Sequence, residues 1–305
     1  MSDYLVSGII KEASIRCVAV VDTGLVEEAR TRHQTYPVAT AALGKALSGA
    51  ILLSSLLKYN SQQRVTLQIM GDGPLKEVVV EADAQGNVRG YVQRPRIHLP
   101  SKDGKLDVGL AVGQKGFLYV YKDLGLKEPY CGAVPLISGE LGKDLAYYLT
   151  VSEQIPSAMA LGIYVESDNS VKASGGIFIQ ALPGAREEAL AHIENRLLEL
   201  PYCSQLIMEG YGPERLLDLA VGEYGITFMT KKEVRFRCRC SRKKVEGTLY
   251  ALGEEEIREM VEKRLKTPIS CNFCSKVYTF SAKDLEKVLT AIIRRKKAVV
   301  STNGN

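Results

Sequence analysis

Two pairs of cysteines are the residues best placed for chemistry: Cys238-Arg239-Cys240 and Cys271-Asn272-Phe273-Cys274. Their spacing, C-x-C-x30-C-x2-C, sets two thiols on each of two turns. Four thiolates arranged that way can surround a zinc ion tetrahedrally without threading the chain. The surrounding stretch is short and poor in large apolar side chains, with Phe236, Leu249, Leu252, Met260, Leu265, Phe273, Tyr278 and Phe280 as its expected core. A core that small usually needs a metal or disulfides to fold. One zinc per chain, held by Cys238, Cys240, Cys271 and Cys274, is therefore expected. Two buried thiol pairs without metal are the alternative.

Two details leave room for more than a passive metal staple. A disulfide across a single intervening residue is short and readily reduced again. The site is also flanked by Lys231, Lys232, Arg235, Arg237, Arg239, Arg242, Lys243 and Lys244 against Glu233. Nearby cations favour thiolate, the form that oxidants attack. A redox sensor and a plain structural zinc site are both compatible with this pattern. So is a basic zinc module that binds nucleic acid, with the run at 294–297 for phosphates and Phe236, Phe273, Tyr278 and Phe280 as stacking rings. A thiol oxidoreductase working through Cys271 and Cys274 fits less well, because the strand–C-x-x-C–helix setting is missing.

The remaining residues offer no second site. His33, His98 and His192 are scattered and lack ligand-like neighbours. Cys17, Cys131 and Cys203 read as small buried hydrophobes, with Cys203 the one to watch for cross-linking. Neither G-x-G-x-x-G nor the P-loop pattern occurs, and no nucleophile–base pair is recognisable. The expectation is a non-enzyme, with no catalytic residues.

The frame that must position the cysteines is ordinary globular protein: 305 residues, 46% hydrophobic and 25% charged. Net charge is +5, but Lys231 to Lys297 holds 19 basic against 9 acidic residues, leaving a mildly acidic body. The first residues lack the basic start and apolar run of a secretory signal. The apolar stretch from Val38 to Leu57 carries Lys45 and several small residues, so it reads as a buried helix rather than a membrane span. A cytoplasmic protein with no membrane partner is expected.

Up to residue 180 the pattern is α+β, with a mixed or antiparallel sheet. Strands are expected at 14–21, 116–122 and 176–182, and a β-meander over 64–92 split by the turns at 71–74 and 83–87. Helices are expected at 24–34, 37–59 and 140–154, the last with Leu141, Leu145, Tyr148 and Leu149 on one side. Residues 181–232 form a helical connector of short, Gly- and Pro-broken segments that need another surface to stay folded. Residues 233–293 form the zinc domain, with helices after Ser241, at 254–265 and at 281–293, and 294–305 a flexible tail. Oxidation of the thiols would remove the metal's ligands and unfold a domain that folds around its metal. The connector would then expose Leu197, Leu198, Leu206, Ile207, Met208, Leu216 and Leu217 as an apolar patch for non-native chains.

The chain resembles the redox-regulated heat-shock chaperones of the thirty-three-kilodalton class, the 33 kDa chaperonin family, over nearly its whole length. The segments at 33–47, 71–92, 122–158 and 173–185 resemble that family's body, and 235–246 with 271–286 its redox switch. The resemblance implies an ATP-independent holdase of the stress response, inactive when reduced and zinc-bound, and activated by peroxide or hypochlorous acid together with unfolding. It implies that Cys238 pairs with Cys240 and Cys271 with Cys274 on oxidation. It also implies a homodimer in the oxidised form, unfolded proteins as clients, and an ATP-dependent foldase system that later receives them.

Overall fold

A computed structural model describes residues 2–101, 104–263 and 266–302. In chain order the first elements are β1 (Tyr4–Ile10), β2 (Ile15–Val21), α1 (Thr23–His33), α2 (Pro37–Ser54), β3 (Arg64–Gly71), β4 (Glu77–Asp83) and β5 (Asn87–Val92). Next come α3 (Val108–Val112), β6 (Gly116–Asp123), β7 (Tyr130–Pro135), α4 (Leu141–Val151), β8 (Ser157–Val165) and β9 (Val171–Ala181). Three helices follow, α5 (Glu187–Glu199), α6 (Cys203–Met208) and α7 (Pro213–Val221), and then β10 (Thr227–Glu233) and β11 (Arg235–Phe236). The chain ends with α8 (Arg242–Leu249), α9 (Glu254–Glu262), β12 (Thr267–Ser270), β13 (Val277–Phe280) and α10 (Ala282–Thr302). It divides into two compact units, Met1–Arg237 and Cys238–Asn305.

The larger unit is built around α2, whose side chains are apolar on every side and almost all buried. A helix hydrophobic all round must be covered all round. Two sheets do this: an antiparallel one ordered β10-β1-β2-β9-β8, and a second ordered β11-β5-β4-β3-β6-β7, mixed because β11 runs parallel to β5. Strands of both sheets contact α2. The helix thus has the length and apolarity of a membrane span but is a core element here. β3 and β5 alternate buried and half-buried residues as their sequence requires, whereas the expected alternation fails in β4, which is buried at five of its seven residues; α4 buries Leu141, Leu145, Tyr148 and Leu149.

The short helices α5 to α7 lie on the five-stranded sheet. Ala189, Ile193, Leu206, Ile207, Leu216 and Leu217 join Val6, Ile15, Cys17, Ala19, Ile177 and Ile179 in one apolar cluster. Their stability comes from this docking, as expected for helices of 6 to 13 residues.

Several expectations are corrected. The end of the supposed helical connector is a strand, β10, paired antiparallel with β1 at the sheet edge. Thr227, Phe228 and Thr230 suit a strand, and the edge of β1 supplies its pairing partner. The division between units falls after Arg237 rather than at 232/233. Phe236 belongs to the larger unit, where it is buried with the Arg32 guanidinium 5.3 Å from its ring centre. The closing helix continues to Thr302, through most of the supposed tail, since Arg, Lys and Ala favour helix. The tail residues 303–305 lie outside the described residues, as do Arg264 and Leu265 at the end of the expected helix 254–265.

Candidate metal centre

The smaller unit positions its cysteines on two local devices. Cys238 and Cys240 lie just ahead of α8, whose first turn is fixed by Ser241: its hydroxyl accepts the Lys244 N–H at 3.3 Å. Cys271 to Cys274 forms the turn between β12 and β13. There the Cys271 N–H donates to the Lys276 carbonyl at 3.0 Å, and the Ser275 N–H to the Cys271 carbonyl at 2.8 Å. Ser275 takes a left-handed conformation, φ 57°, which turns the chain back into β13.

A capping box starts α10. Asp284 accepts the Ser281 N–H at 2.9 Å, and the Ser281 hydroxyl accepts the Asp284 N–H at 3.3 Å. Arg242 joins the pieces, donating to the Thr279 carbonyl and to Asp284, both at 2.9 Å, with its guanidinium over the Phe280 ring. Beneath lies a small core of Val245, Leu249, Ile257, Phe280, Leu285, Val288 and Ile292. Leu252, expected in that core, is 45% exposed, and Leu265 lies outside the described residues.

These elements bring all four thiols together, with every Sγ within 4.8 Å of the others. Cys238 and Cys271 are 3.8 Å apart, and Cys240 and Cys274 3.5 Å. A metal–sulfur distance of about 2.3 Å implies a tetrahedral edge of about 3.8 Å, close to these two separations, so the four sulfurs could hold a metal ion. Cys274 is buried and the others half-buried. Burial, the largest cause, pushes the Cys271 and Cys274 thiols up; Cys238 adds to this at both, and Cys240 at Cys274. A cation among them would offset that cost.

The cations that flank the cysteines in sequence are divided between the two units. Lys231, Lys232, Arg235 and Arg237 belong to the larger unit; there Lys231 pairs with Glu214 at 3.0 Å, Lys232 donates to the Ala84 carbonyl and Arg235 to Asn87. Arg242 is turned to Asp284. The stacking surface proposed for nucleic acid is also reduced, because Phe236 and Phe280 are buried. One neighbour of the sulfurs had no signal in the sequence: the Tyr278 hydroxyl lies 3.2 Å from the Cys240 Sγ. That bond first, and burial second, pushes the phenol up to about 12.

The other candidates are dispersed. Cys17 and Cys203 are buried, and burial pushes each thiol up to about 12. Cys203 is thus shielded, whereas Cys131, expected to be buried, is exposed on the edge strand β7. His33 packs against Phe236, His98 against Tyr36 and His192 against Tyr224. Of the suggested client-binding residues, Leu206, Ile207, Leu216 and Leu217 are buried and Leu197 half-buried, while Leu198 and Met208 are 84% and 51% exposed.

Comparison with known proteins agrees with this geometry. The family model described as Hsp33 protein matches residues 3–281. The chain belongs to the Hsp33 family. The 33 kDa chaperonin of Desulforamulus reducens is 46% identical over 293 residues, covering 96% of this chain and 99% of its own. That of Geobacter sulfurreducens is 44% identical over 295 residues, covering 96% and 97%. The crystal structure of the 33 kDa chaperonin from Thermotoga maritima superposes with a TM-score of 0.89 at 37% identity, covering 96% of this chain and all of that one. The chain therefore has the chaperone fold of this family, an α+β body, a helical region and a C-terminal cluster of four cysteines that could hold a metal ion.

Proposed function

We propose that this protein is an ATP-independent holdase of the cytoplasm, switched on by oxidation of Cys238, Cys240, Cys271 and Cys274. The observation that carries the reading is the thiol cluster, spaced for a tetrahedral metal inside a unit with a very small core. Bound zinc, one per chain, would hold the four sulfurs as thiolates and cross-link the two turns. Peroxide would join Cys238 to Cys240 and Cys271 to Cys274, and the cluster could then no longer retain the metal.

The smaller unit, from Cys238 on, is the switch domain in this reading, and the segment that carries α5 to α7 is the metastable linker. In this reading loss of its fold leaves β10 and β11 at the end of a free chain, and α5 to α7, which dock on the five-stranded sheet, must then lift from that sheet. Leu197, Leu198, Leu206, Ile207, Met208, Leu216 and Leu217 then bind unfolding proteins. The oxidised form acts as a homodimer, and clients pass to an ATP-dependent foldase system when reducing conditions return. No reaction is catalysed.

Light scattering of a thermally unfolding client tests this, with the protein added reduced and zinc-loaded or after peroxide and mild warming. Suppression by the oxidised sample alone, with zinc released, is the expected result. Equal activity in both samples with zinc retained would make the site purely structural. Full zinc occupancy in all four single Cys→Ser variants would overturn the ligand assignment.

A further inference from the structure

The hairpin that carries Cys271 and Cys274 also delivers a side chain to the other cysteine pair. Successive residues of β13 alternate faces, so Tyr278 and Phe280 point the same way. Phe280 fills the core of the unit, and the Tyr278 ring packs against that core's edge. Its hydroxyl reaches the Cys240 Sγ at 3.2 Å. A thiolate bound to a metal has no proton to give, so in the loaded site the phenol O–H donates and the sulfur accepts. Cys271 and Cys274 are favoured as thiolates by the backbone N–H groups of Phe273 and Lys276, which no substitution of those side chains removes. The Cys240 sulfur depends instead on a side chain two strand positions from the core.

We propose that Tyr278 is a positioning residue of the redox centre that restrains Cys240: its O–H···S bond lowers the nucleophilicity of that thiolate and sets how fast the site yields to oxidant. The inference rests on the redox-switch reading for its biological meaning, but its chemistry stands on the hydrogen bond alone. A hydrogen-bonded thiolate shares its lone pair, and it must give up that bond before attacking. With hydrogen peroxide the step is Cys240–S⁻ attacking one peroxide oxygen. An S–O bond forms, the O–O bond breaks, and hydroxide leaves to give the sulfenic acid. A second thiolate then displaces hydroxide from that sulfur to form the disulfide, so two thiolates lose two electrons and peroxide gains them.

Tyr278→Phe keeps the ring in the core and removes only the donor. In zinc-loaded, reduced full-length protein, alkylation by iodoacetamide followed by mass spectrometry reads Cys240 directly: a sulfur–carbon bond forms as iodide leaves. Cys240 should label about five-fold faster in the variant, the effect of one hydrogen bond, while Cys271 and Cys274 keep their rates as internal controls. Peroxide-driven zinc release, followed with a metal-binding dye, should accelerate by a similar factor. Zinc content and the thermal melt before reaction confirm an intact loaded unit.

Unchanged Cys240 labelling in an intact, loaded variant would overturn the proposal, and so would equal acceleration at all four cysteines, which would mean loosened structure rather than a lost bond. If the wild-type protein released no zinc with peroxide, the switch reading would fail, yet the Cys240 labelling would still decide the role of Tyr278.

Discussion

Asp22 is a buried carboxyl with an incomplete set of partners, and its removal should change how stability depends on pH. One carboxyl oxygen accepts the Ser48 hydroxyl at 2.8 Å, while the other has no hydrogen-bond partner. The residue is fully buried, and burial, opposed by Ser174 and Ser48, pushes its carboxyl from 3.8 up to about 7. Below 3.8 both the folded and the unfolded chain hold the proton, and this group's stabilising effect is complete. As pH rises toward 7 the unfolded chain releases its proton while the folded chain keeps it, so stability falls; above 7 both are ionised and the loss is complete. At about 1.36 kcal/mol per pH unit, the fall has an upper limit of about 4 kcal/mol.

Asp22→Asn cannot ionise, so its stability relative to wild type should climb by up to about 4 kcal/mol from pH 4 to 7 and then level off. Urea unfolding followed by far-UV circular dichroism at several pH values would show it, since the buried Asp144 titrates in both proteins. Parallel stability curves for the two proteins across that range would refute the reasoning.

Truncating Phe280, fully buried in the small unit, to Ala should cost about 3–5 kcal/mol, more than a core of that size can spare; zinc content and α10 protection from hydrogen exchange should both fall. Leu217→Ala removes a fully buried anchor of α7 and should cost about 2–5 kcal/mol, seen as faster limited proteolysis within 187–221. Leu198→Ala, on the exposed side of α5, should change stability by less than about 0.5 kcal/mol and leave the proteolysis pattern alone. Gly71→Ala would drive a methyl into the Val112 carbonyl oxygen, and a backbone atom cannot swing aside. The melting temperature of the larger unit should drop, by an overpacking cost of about 1–3 kcal/mol.

Much of the fold was legible because local periodicity was strong. The alternation in β3 and β5 and the stripe of α4 follow directly from side chains that must face one covered side. The two cysteine pairs were legible for a different reason: their spacing means something without any knowledge of the rest of the chain. The ends of the connector were not. The residues of β10 are almost all exposed, so no burial pattern marks them, and pairing with the edge of β1 completes what their propensity leaves open.

The sequence by itself determined the family, the α+β class and the four thiols, since these depend on residue type, spacing and local propensity. Only the tertiary structure decided which partner each polar group finds. Asp22 precedes α1, where an Asp ordinarily caps the first turn, yet its side chain is turned inward to Ser48. Asp3 caps the helix from across the fold, accepting the Gly24 and Leu25 N–H groups. Half of the cations that flank the cysteines in sequence belong to the other unit, while Tyr278, 38 residues from Cys240, reaches its sulfur. Charge and hydrogen bonding act through distance in space, and distance along the chain fixes that only within a turn or a hairpin.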